Sequence, residues 1–94
     1  MQFIQPQAKF MDRSLTAQYK THFTGDDAMK YEIIARLCIG YLDDLYFLGS
    51  KREIHTWFRG SVNLFAGTHR KWLEDHKDSY DEGFYEFILR ELGH

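Results

Sequence analysis

The sequence predicts an all-α fold, a compact irregular four-helix bundle, on three observations. Apolar residues recur at helical rather than alternating spacing along most of the chain. Three Ser/Thr-x-x-Asp/Glu sequences, Thr24 to Asp27, Ser50 to Glu53 and Ser79 to Glu82, each precede such a run and have the form of a capping box. The only proline is Pro6, and no Asn-Gly or Asp-Gly turn separates alternating segments. Helices are expected at about 7–22, 26–48, 51–77 and 80–92.

In the first helix Phe10, Met11, Leu15, Tyr19 and Phe23 make a narrow apolar stripe, and the Gln- and Thr-rich remainder faces water. The second helix is expected at the centre of the bundle. Tyr31, Ile34, Leu37, Cys38, Tyr41, Leu42 and Leu45 share one broad face, and a helix apolar around most of its girth needs several neighbours. The third helix separates its residue types. Ile54, Trp57, Phe58, Ser61, Val62, Phe65, His69, Trp72 and His76 fall on one arc, with Arg52, Arg59, Asn63, Arg70 and Lys77 opposite. Gly60 and Gly67 weaken this helix by about 1 kcal/mol each relative to Ala, but the phase continues through both, which favours one bent helix. The fourth helix carries Tyr80, Phe84, Tyr85, Phe87, Ile88, Leu89 and Leu92, with Gly93 placed to end it.

The 94 residues suit one domain, and 44% hydrophobic with 17% aromatic content is a globular composition. The formal net charge is −2, too small to steer the whole molecule toward an anion. Its distribution is uneven. Residues 51–73 hold five basic residues against one acidic, and residues 74–94 hold two basic against seven acidic. The lone Cys38 cannot form an intramolecular disulfide and fits a reduced, cytoplasmic setting. The opening MQFIQPQAKF lacks the basic and apolar regions of a signal peptide. No apolar run is long enough to span a membrane.

Two surfaces emerge as candidate binding sites. The first is a basic stripe of Arg52, Arg59, Arg70 and Lys77, with Lys71 beside it, which can track phosphates or dock an acidic protein. Nucleic-acid binding by this stripe is expected to be weak, because Trp57 and Trp72 lie on the core side where no base can stack on them. The second is apolar: Tyr80, Phe84, Phe87 and Leu89 exceed what a small four-helix core can cover.

Catalytic and metal chemistry find no support. No His pair has the i, i+4 spacing of a helical zinc site, so the histidines read as core or boundary residues making hydrogen bonds. Asp26-Asp27 and Asp43-Asp44 diverge by about 100° around a helix, so neither pair forms an acid/base dyad. Cys38 sits mid-helix in apolar company, where the thiolate is disfavoured. No Gly-rich phosphate loop or nucleophile elbow occurs. The expectation is therefore a non-enzymatic protein with no cofactor or metal that acts by protein–protein binding, as an inhibitor, adaptor or regulator. A homodimer is one form of that binding. Small lone domains of this kind are typical of phage and mobile-element accessory proteins that block a host nucleic-acid or defence machine, which would place the chain in the host cytoplasm; this is an analogy of size. The alternative is a weak nucleic-acid binder using the basic face of the third helix.

Overall fold

Tyr31 and Trp72, one on each of two packed segments, organise the structure. The computed structural model describes residues 8–48 and 60–93, which are helical with no strand among them.

The N-terminal segment is broken where one helix is expected. A tight 3₁₀ turn, Lys9–Met11, is followed by α1 (Arg13–Thr16) and α2 (Tyr19–His22). The first break falls at Asp12, which is extended and whose carboxylate accepts from the Ser14 N–H at 2.9 Å and the Ser14 hydroxyl at 2.6 Å. This local bonding competes with a continuous helix. It also holds the Asp12 carboxyl below its ordinary range, the Ser14 hydroxyl contributing most. The apolar stripe survives the breaks: Phe10, Tyr19 and Phe23 are buried around Tyr31. Phe23, Tyr19 and Phe10 place their ring centroids 5.0, 5.2 and 6.3 Å from that of Tyr31. Thr16, expected to face water, is buried instead. Its hydroxyl donates to the Thr68 carbonyl at 2.6 Å, which removes the cost of burying it.

The longest helix, α3 (Asp26–Leu48), has the expected bounds. Gly25 leads into it at φ 59°, a left-handed conformation that favours glycine. The Thr24 carbonyl accepts from the Asp27 N–H at 3.1 Å. The Asp27 carboxylate does not complete a capping box; it accepts from Lys9 Nζ at 2.7 Å and ties the N-terminal turn to α3. Tyr31, Ala35, Ile39 and Leu42 form the buried face.

The expected third helix divides. Residues 51–59, with the proposed cap at Ser50, lie outside the described residues. A π-helical stretch, α4 (Val62–Ala66), is followed by a turn at His69 and by α5 (Arg70–Asp75). In α4 the Gly67 N–H reaches back to the Val62 carbonyl instead of that of Asn63, and the Arg13 guanidinium donates to the Asn63 carbonyl at 2.6 Å. Gly67 itself is helical; a Cβ there would meet Arg13 Nη2 at 2.8 Å. The chain turns after Thr68, whose carbonyl is taken by Thr16. A 3₁₀ turn, Lys77–Ser79, precedes α6 (Glu82–Glu91).

The last helix therefore starts two residues later than expected, and its cap is Asp81 rather than Ser79. The Asp81 carboxylate accepts from the Phe84 N–H at 3.2 Å, while Ser79 closes the preceding turn through its N–H to the His76 carbonyl at 2.9 Å. Asp81→Ala is expected to cost about 1 kcal/mol of stability, read from the midpoint of urea unfolding. At the other end Gly93 adopts φ 93° just past the helix, as its position predicts. Phe84 and Ile88 of α6 pack with Val62, Ala66, Trp72 and Leu73 in one core with the buried face of α3.

Candidate protein interface

The second helix was expected to be covered on nearly all sides. It is not. Met29, Ile33, Leu37, Tyr41, Phe47 and Leu48 of α3 are between 41% and 84% exposed. At about 100° per residue these six side chains fall within an arc of about 120°, facing away from Tyr31, Ala35, Ile39 and Leu42. Leu37 and Tyr41, grouped by sequence with the inward residues, belong to this outer face. Tyr41 rests edge-on against Phe65, with centroids 5.7 Å apart, so the rim of the face reaches α4. Leu64 is exposed on that helix. Ala28, Met29, Glu32 and Ile33 line a shallow groove at the N-terminal end of the face.

The apolar residues expected at an interface sit elsewhere. Phe84 is fully buried: its ring lies 5.6 Å from Tyr46 and 5.9 Å from Tyr80, so it belongs to the core. Phe87 is half-buried, 5.2 Å from the Tyr46 ring. Tyr80 and Leu89 are also half-buried, and together with Lys77, Glu82, Tyr85 and Glu86 they line a shallow hollow. Burial pushes the Tyr80 hydroxyl pKa up.

Of the basic stripe, Arg52 and Arg59 lie outside the described residues. Arg70 donates to Glu74 at 3.0 Å, and Lys71 pairs with Asp75 at 3.3 Å. Lys77 is exposed on the 3₁₀ turn. Arg70 and Lys77 are thus not on one continuous helix, because the backbone leaves the α-helical path at His76. The paired carboxylates lower the positive potential that Arg70 and Lys71 can offer a phosphate.

A polar network holds the inner side of α3. Glu32 accepts from Trp72 Nε1 at 2.7 Å and from Arg36 at 3.3 Å, and His76 Nε2 lies 3.5 Å from it. The Trp72 and His76 rings stack at 4.1 Å, with the Arg36 guanidinium 5.5 Å from the Trp72 ring. Nearby, the Tyr19 hydroxyl donates to Asp75 at 2.7 Å. That bond is the main reason the Asp75 carboxyl lies below its ordinary range, and Lys71 and Lys20 add to it. These groups are mutually satisfied and act as scaffold.

The catalytic candidates do not converge. Cys38 is half-buried, and burial raises its thiol pKa, which disfavours the nucleophilic thiolate. The Asp43 carboxyl is also raised, by burial first and then by Asp44 and Asp81, and its Oδ1 has no hydrogen-bond partner. His22 packs edge-on against Phe23 with centroids 5.4 Å apart. Among the described residues no three His, Cys, Asp or Glu converge on a metal position. Nor is any described helix long and apolar enough to cross a membrane.

No family model matches the chain, and neither a curated protein nor a solved structure shows significant similarity to it.

Proposed function

We propose that the chain works by binding protein, as an inhibitor, adaptor or regulator, and that the outer face of α3 is the contact surface. One observation carries this reading: six large apolar side chains are exposed on one arc of a single 23-residue helix. Scattered exposed apolar residues are ordinary, but a contiguous row along a helix is how a helical binding surface is built. A phage or mobile-element accessory protein acting on a host machine in the cytoplasm is the form that the small size suggests. Nucleic-acid binding has less support, since Arg70 and Lys71 already have carboxylate partners.

The test compares wild type with Ile33→Glu in affinity capture from the cells of origin, counting an untagged copy of the chain among the captured proteins. At least one protein retained by wild type is expected to be lost with the variant, while far-UV circular dichroism stays unchanged. Identical captured proteins for both, or none for wild type, would remove the α3 face from consideration.

A further inference from the structure

We infer that the partner on this face is a second copy of the chain, its α3 packed antiparallel about a two-fold axis passing beside Leu37. The inference deepens the proposed function and rests on the outer face of α3 being a protein contact.

The charges on the face decide the arrangement. Asp26, Lys30 and Asp44 are exposed and lie within the same arc as the apolar row. Among the described residues neither Lys30 nor Asp44 forms an ion pair. Lys30 and Asp44 stand seven residues to either side of Leu37, so each is about 10 Å from it along the helix. In an antiparallel pair centred on Leu37, Lys30 of each copy comes opposite Asp44 of the other, and the contact occurs twice by symmetry. The same register sets Ile33 against Tyr41 and Leu37 against itself. A parallel pair would set Lys30 against Lys30 and Asp44 against Asp44, and like charges across an interface are disfavoured. Gly40 lies on this arc with open space where a Cβ would stand, which lets two helix backbones approach closely there. An anionic membrane surface fits less well, because Asp26 and Asp44 outnumber Lys30 on the face.

Sedimentation equilibrium on the purified full chain tests this. A dimer is expected, with Leu37→Glu a folded monomer. Lys30→Glu and Asp44→Lys should each weaken the dimer about tenfold. The double charge swap, carrying both changes in one chain, should restore it to within about twofold, because the opposed pairs are re-formed with reversed sign. A parallel dimer would be indifferent to the single changes, since like charges would still face like. A wild-type monomer, single variants without effect, or a double variant as weak as the singles would each overturn the inference. If the wild type is a monomer but still loses a captured foreign protein on Ile33→Glu, only the self-association fails and the protein-binding reading stands. A monomer that captures nothing, or that instead adsorbs to phosphatidylglycerol vesicles through the same face, ends both.

Discussion

Trp72→Ala is expected to destabilise the protein by about 3–5 kcal/mol, the cost of truncating a large buried aromatic. The Trp72 side chain is fully buried at the junction of α5 with α3. Its removal has three consequences. A cavity opens in the buried core that Trp72 shares with Leu73, Phe84 and Ile88, beside the Tyr80 ring whose centroid lies 6.3 Å away. The Glu32 Oε2 atom loses the indole N–H that it accepts at 2.7 Å. His76 loses the ring on which it stacks, and Arg36 loses the aromatic face beside it. A domain of this size has only about 5–10 kcal/mol of stability to lose. The variant should therefore unfold at a small fraction of the wild-type urea concentration, followed by far-UV circular dichroism because Trp57 also contributes to fluorescence. Trp72→Phe keeps most of the apolar volume but not the N–H, and should cost about 1–3 kcal/mol, the range for an unpaired group and a small void. A loss below about 1 kcal/mol for Trp72→Ala would mean that the ring is not part of the cooperative core.

The helix class, the bounds of α3 and the inward positions of His69 and Trp72 were legible because each depends on local chemistry or on a strong 3.6-residue period. The breaks at Asp12 and His69 were less so. The break at Asp12 is set locally, by a side chain that bonds Ser14 two residues on, whereas the departures between Val62 and His69 involve partners far along the chain: Thr16 takes the Thr68 carbonyl and Arg13 takes the Asn63 carbonyl, across 52 and 50 residues. No window of sequence contains both members of such a pair. The outer face of α3 was hidden for a different reason. When both sides of a helix are apolar, periodicity cannot say which side is covered. The charges carried the missing information. Asp26, Lys30 and Asp44 share an arc with Met29, Ile33 and Leu37, and charged residues are almost never fully buried unless paired, so that arc had to meet water. The Ser79 cap failed through competition, because Asp81 is an equally good capping residue two positions on.

Lowering the pH from 6.5 to 4 is expected to remove roughly 3 kcal/mol of stability through His69 alone. The ring is fully buried between the N-terminal segment and α3, and that burial lowers its pKa from 6.5 to about 4. Its hydrogen bonds fix the neutral tautomer. Nε2 lies 3.2 Å from Met11 Sδ, which can only accept, so the proton sits on Nε2. Nδ1 is then free to accept from the Tyr31 hydroxyl at 2.9 Å. A second proton on Nδ1 would place a full positive charge in a buried site with no counter-charge among its direct contacts. In the pH window between the two values the unfolded chain binds a proton that the folded chain does not. Stability therefore rises with pH across the window, is fully present above 6.5 and is lost as pH falls toward 4. The depressed carboxylates of Asp12 and Asp75 act in the same direction, but only as pH falls through their lowered values. His69→Gln retains an amide donor and acceptor for Met11 and Tyr31 but cannot titrate. It should lower stability at neutral pH while flattening the slope between pH 6.5 and 4, measured as urea midpoints across that range. An unchanged slope in His69→Gln would show that other groups carry the acid sensitivity.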